Sequence, residues 1–139
     1  MVPMTRASGH CLCGAVRYAV HGPLRDVSYC HCSQCRRTSG HFVAASACDA
    51  GDLELIDDEG LRWYRSSPAA ERGFCKHCGS SLFWRPDHGA HISIMCGTLD
   101  VPTGLTAYEH IHVDSASDYY TIDDGLPRFT GDSTPETVT

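Results

Sequence analysis

Seven of the nine cysteines fall into three tight clusters, Cys11-Leu12-Cys13-Gly14, Cys30-His31-Cys32-Ser33-Gln34-Cys35 and Cys75-Lys76-His77-Cys78-Gly79. A tetrahedral zinc takes four ligands at a structural site, and usually three protein ligands plus a water at a catalytic one. Seven clustered cysteines divide into four and three. That sum predicts one closed metal site that holds the fold together and one open site that can do chemistry.

The spacing within each cluster refines this division. In Cys75-Lys76-His77-Cys78 a tight turn aims both sulfurs at one ion, and Gly79 can take the positive φ that such a turn requires. A Cys-x-x-Cys can also be a redox pair, but that motif usually opens a helix after a strand. Here Ser81-Leu82-Phe83-Trp84 follows and reads as a strand, which favours metal. Cys11 and Cys13 stand two residues apart, so in an extended segment both sulfurs face the same side. They need two further ligands, and Cys75 and Cys78 are the obvious donors.

The middle cluster, Cys30, Cys32 and Cys35, offers three thiols within six residues and leaves a fourth position. Water or a substrate thiolate can take that position; His31, His41, Cys48 or Cys96 can close it instead. An extended segment would point His31 away from its flanking cysteines. Cys48 and Cys96 lie beside strand-like segments, where a free cysteine behaves as a small buried hydrophobe. The open reading is therefore preferred. Arg36 and Arg37 follow the trio directly; they are read either as a solvated pair facing the acidic loop Asp57-Asp58-Glu59, or as a guide for an anionic substrate.

At 139 residues the chain fits one domain. Expected bounds are a loose lead-in over 1–8, a metal-pinned body over 9–130 and a disordered tail over 131–139. Acidic residues outnumber basic ones by 17 to 11, for a formal charge of −6, and Lys76 is the one lysine. Nucleic acid and anionic membrane as general partners are disfavoured by this balance. The first twenty residues hold no apolar run of signal-peptide length and nothing later approaches a membrane span, so a cytoplasmic location is expected. An odd cysteine count fits a reducing compartment in which thiolates bind metal, and disulfides are the weaker reading.

Short strand-like pieces separated by turns fill the body: Ala15–Val20, Phe42–Ala47, Asp52–Ile56, Arg62–Tyr64, Arg72–Phe74, Ser81–Trp84, His91–Met95 and Ile111–Val113. Only Cys32–Ser39 reads as a helical turn. The pattern is all-β, with small sheets joined where the cysteine clusters sit.

Several of these motifs together resemble a known family. The runs Gly9-x-Cys11-x-Cys13-Gly14-Ala15-Val16-Arg17-Tyr18 and Tyr29-Cys30-His31-Cys32-Ser33-Gln34-Cys35-Arg36-Arg37 are similar to those of the glutathione-dependent formaldehyde-activating enzyme and centromere protein V family. Arg72-Gly73-Phe74-Cys75-x-x-Cys78-Gly79-Ser80, Gly97-Thr98-Leu99-Asp100 and Asp124-Gly125-Leu126-Pro127-x-Phe129 match in order and spacing. The likeness spans roughly residues 9–129.

The resemblance implies a β-tent, the zinc-pinned all-β fold also found in methionine sulfoxide reductase B. It implies a structural zinc on Cys11, Cys13, Cys75 and Cys78, a catalytic zinc on Cys30, Cys32 and Cys35, and glutathione or a related small-molecule thiol as partner. The implied activity is that of a zinc-dependent carbon–sulfur lyase on thiol adducts of small aldehydes, with S-hydroxymethylglutathione as prototype and Arg36 and Arg37 as substrate contacts. An enzyme of the same family on a different thiol, or a non-catalytic zinc-binding module, is the alternative. Such a module would have its second zinc closed by a fourth protein ligand.

Overall fold

Tyr18 and Val20, on one face of a single short strand, and Val16 just before it are all fully buried and contribute to the core. The computed structural model describes residues 5–132. Its strands are β1 (Ala7–His10), β2 (Arg17–Val20), β3 (Val27–Cys30), β4 (Val43–Asp49), β5 (Leu53–Asp57), β6 (Leu61–Ser67), β7 (Ala70–Cys75), β8 (Ser81–Pro86), β9 (His91–Met95) and β10 (Ala107–Ile111). The helix α1 spans Ser33–Ser39. Among the described residues no helix is long and apolar enough to cross a membrane.

Two sheets lean on each other in the all-β, β-tent arrangement. A three-stranded antiparallel sheet runs β1-β2-β5, and a seven-stranded sheet runs β10-β3-β4-β9-β8-β7-β6. Every pair in the larger sheet is antiparallel except β10 on β3. Tyr18 from the small sheet meets Phe83 from the large one edge to face, with centroids 5.2 Å apart. Such a pair contributes about 0.5–1.5 kcal/mol beyond the area it buries. Leu82, Ile92, Ile94 and Leu99 complete the layer between the sheets. The Tyr18 hydroxyl, carried into this apolar layer, is hydrogen-bonded to Thr98 Oγ1 at 2.7 Å.

Strands β4 to β9 fall where the sequence puts them, and α1 lies within the expected helical turn. Three details differ. Residues 15 and 16 belong to the turn that closes on Cys11 rather than to β2, because the Cys11 N–H donates to the Val16 carbonyl at 3.0 Å. The last strand ends at Ile111 instead of starting there, since His112 adopts a left-handed backbone (φ 55°) and breaks the extended run. Strands β1 and β3 were not anticipated. Ala7 and Ser8, within the expected lead-in, pair with Val20 and Ala19. The tail expected over 131–139 lies outside the described residues from 133 onward; Gly131 and Asp132 both receive hydrogen bonds from His112.

Candidate metal centres and the cleft between them

Four sulfurs from two remote turns meet at the first cluster. Cys11, Cys13, Cys75 and Cys78 present sulfurs all within 4.8 Å of one another. Cys13 lies 3.7 Å from both Cys11 and Cys75. Both turns are built alike. In each, the first cysteine's N–H reaches the carbonyl five residues on, at 3.0 Å: Cys11 to Val16 and Cys75 to Ser80. In each, a glycine with positive φ, Gly14 at 84° and Gly79 at 78°, turns the chain back on itself.

Ser80 fastens the two turns together. Its hydroxyl accepts the Leu12 N–H at 3.0 Å and donates to the Cys78 sulfur at 3.2 Å. That donation is the main reason Cys78 is held down to about 5, within reach of the thiolate form that a metal needs. A second sulfur is served by backbone, the Val16 N–H donating to Cys11 at 3.3 Å.

The second cluster sits where β3 runs into α1. Cys30 ends the strand, Cys32 is the N-cap of the helix and Cys35 lies in its first turn. The Cys32 sulfur accepts the Cys35 N–H at 3.3 Å, so the capping role and the clustering share one atom. All three sulfurs lie within 4.8 Å of one another, and among the described residues no fourth Cys, His, Asp or Glu joins them. Within the trio the charge concentrates on Cys32, which the Cys30 and Cys35 thiols hold far below the ordinary thiol range, to about 2. Cys30, donating to it, is pushed up.

Each candidate for closing the trio is engaged elsewhere. His31 is fully buried, with Nδ1 on the Tyr120 hydroxyl and Nε2 2.8 Å from His110 Nδ1. Burial and the His110 ring lower it to about 4, so it is neutral. His110 in turn meets Asp124 at 2.8 Å. His41 Nδ1 pairs with the Tyr119 hydroxyl. Cys48 packs in the core and Cys96 against it, and burial pushes both thiols up to about 11.

A cleft borders Gly79, next to Cys78, and Arg72, which reaches Cys35. Its larger lobe, about 340 Å³, is lined by Thr38, Tyr64, Arg72, Gly73, Phe74, Gly79, Ser81, Phe83 and Met95. A second lobe of about 310 Å³ shares Thr38, Gly79, Ser81 and Met95 and extends to Phe42 and Gly97. Arg72, on β7, links cleft to trio: its Nη2 donates to the Cys35 sulfur at 3.7 Å and to Gln34 Oε1 at 3.4 Å. Sequence reasoning attached no contact to Arg72, because the residue it meets lies 37 positions away; its only signal was membership in the Arg72-Gly73-Phe74-Cys75 run. Arg36 is half-buried on α1 and Arg37 is exposed.

A family model described as glutathione-dependent formaldehyde-activating enzyme matches residues 6–115 and so spans both clusters. The chain belongs to this family. A Schizosaccharomyces pombe protein named "Uncharacterized lyase" is 28% identical over 137 residues, covering 97% of this chain and 98% of the relative. A Halomonas elongata protein named "Putative glutathione-dependent formaldehyde-activating enzyme" is 34% identical over 83 residues, 54% of this chain and 53% of the relative. Among solved structures, a Rhodobacter sphaeroides protein superposes with a TM-score of 0.58 at 25% identity, over 87% of this chain and 98% of that one. The family match ends before Tyr119, Tyr120 and Asp124, which hold His41, His31 and His110.

Proposed function

We propose that the chain is a zinc-dependent carbon–sulfur lyase acting on thiol adducts of small aldehydes, with glutathione and formaldehyde, joined as S-hydroxymethylglutathione, as the prototype pair. The observation that carries this reading is the trio of sulfurs, unaccompanied by a fourth ligand and bordered through Arg72 by a cleft. The family and the lyase name of the pombe relative point the same way.

The spacing of the four-cysteine group fits zinc, and the trio's sulfurs, all within 4.8 Å of one another, are compatible with the same ion. A zinc–sulfur distance of about 2.3 Å separates the corners of a tetrahedral thiolate site by about 3.8 Å. The 3.7 Å spacings at Cys13 match that edge. Cys11, Cys13, Cys75 and Cys78 would hold a structural zinc, and Cys30, Cys32 and Cys35 a catalytic one. Zinc in the trio would supply a Lewis-acidic position that keeps a substrate sulfur as thiolate at neutral pH.

The chain's own groups do the rest. Cys32 and Cys35, fixed by the first turn of α1, hold the sulfur-binding position against the cleft. Arg36 and Arg37 add positive charge beside a centre that three thiolates make anionic. In the reaction the adduct's hydroxyl gives its proton to solvent water, the freed oxygen pair forms the C=O bond as the carbon–sulfur bond breaks with its electron pair on sulfur, and thiolate and aldehyde separate; the reverse direction builds the adduct. A reducing, cytoplasmic setting agrees with nine cysteines free of disulfides.

Exchange NMR of glutathione and formaldehyde tests the reading. Adding the zinc-loaded protein should speed interconversion of adduct and free thiol, and the Cys32→Ser variant should lose most of that acceleration. Identical exchange with and without the wild-type protein would contradict it.

A further inference from the structure

Three cations of this chain are paired with carboxylates. Arg65 pairs with Asp87 and Glu71, Arg85 lies on Trp63 and meets Glu71, and Lys76 pairs with Glu59. Arg72 differs. Among the described residues it has no carboxylate partner, although it lines the larger lobe of the cleft and its Nη2 already touches the trio at Cys35. Its Nε, like that of Arg36, is buried with no hydrogen-bond partner, but Arg72 is the one of the two that lines the cleft. A buried N–H left unpaired is costly, and a guanidinium offers its donors as a planar fork matched to a carboxylate.

We infer that Arg72 is the specificity-determining residue of the trio site, recognising the carboxylate of a thiol whose sulfur occupies the open position. This rests on the lyase reading above and deepens it by naming the ligand class: thiols that carry a carboxylate, as opposed to neutral thiols. Among the described residues, the side chain outside the trio that hydrogen-bonds a trio sulfur also lines the cleft, so sulfur and carboxylate of a single small molecule are read together. The cleft supports this use, because beyond Arg72 its wall is largely apolar or neutral, with Phe74, Phe83, Met95, Thr38 and Ser81, and holds no acidic residue to compete.

Calorimetric binding to the zinc-loaded protein tests the assignment, using glutathione, its diester with both carboxylates blocked, and 2-mercaptoethanol. Wild-type protein should bind glutathione at least about tenfold more tightly than the diester. Arg72→Ala should remove that difference, lowering glutathione binding by a larger factor than it lowers binding of the diester or 2-mercaptoethanol; Arg72→Lys, which keeps charge without the fork, should retain part of it. Equal binding of glutathione and diester by the wild type overturns the role of Arg72 and leaves the lyase reading standing, and it does so without any variant having to fold. An equal loss for all three thiols in Arg72→Ala also overturns it, since the arginine would then serve only the sulfur cluster. Failure of the wild type to bind any thiol would sink both readings together.

Discussion

Gly9 illustrates how single residues set the spacing between the sheets. A β-carbon there would overlap the Thr98 carbonyl oxygen, which is backbone, and the Tyr18 hydroxyl, which is held by its bond to Thr98 Oγ1. Neither neighbour is the free end of a flexible chain. Gly9→Ala should therefore cost about 1–3 kcal/mol by overpacking, read as a lowered urea midpoint with little change in slope. A variant as stable as wild type would mean the sheets can part without penalty. The sulfurs follow the same logic at this scale: Ser80, unremarkable in the sequence, links Leu12 to Cys78 and so decides how the two cysteine turns meet.

At the scale of elements, α1 is a seven-residue helix, too short to persist in isolation, and it is capped by a sulfur that also belongs to the trio. Capping and ligation can be separated, because serine is a good N-cap but not a thiolate. With the trio free of metal and the four-cysteine zinc retained, Cys32→Ser should exceed Cys32→Ala in stability by about 1 kcal/mol, and on full zinc loading both should bind one zinc fewer than wild type. Equal stability of the two variants would show that the cap contributes nothing. The edge of the large sheet offers a second test. Arg65 on β6 holds Asp87, just past β8, through two bonds of 2.9 Å, and so keeps its carboxyl below the usual range. A depressed carboxylate adds stability above its unfolded value of about 3.9 and loses it as the pH falls further. Wild type should therefore lose stability faster than Asp87→Asn between pH 5 and pH 3 (approximate bounds set by that value) in urea titrations; parallel losses would remove the pair from the account.

For the molecule as a whole, what was legible in the sequence was chemistry held in short spacings. Cys11 with Cys13, and Cys75 with Cys78, announce themselves locally, and their joining into one group follows from counting ligands. Strands β4 to β9 were legible through turn residues and alternation. β1 and β3 were not, because Ala7-Ser8-Gly9-His10 has little strand propensity and Val27-Ser28-Tyr29-Cys30 is only four residues long. The end of β10 was misplaced because it buries Glu109 and His110, polar residues that look like surface until Ser28 and Asp124 are brought to them from elsewhere in the chain. Arg72 escaped notice for the same reason, its meeting with Cys35 being a product of topology.

The two sulfur groups also differ in what they connect. The four-cysteine group ties the turn after β1 to the turn after β7, whereas the trio lies within one strand-to-helix corner. Loss of the first should loosen the whole molecule, and loss of the second only that corner. Zinc content, followed during stepwise dialysis against a chelator and paired with thermal unfolding at each step, tests this most directly. We expect about two zinc ions per chain, that of the trio leaving readily with the cooperative transition retained and that of the four-cysteine group leaving only as the transition collapses. A single firmly held zinc, or two that leave together with the fold, would contradict the division into a closed site and an open one.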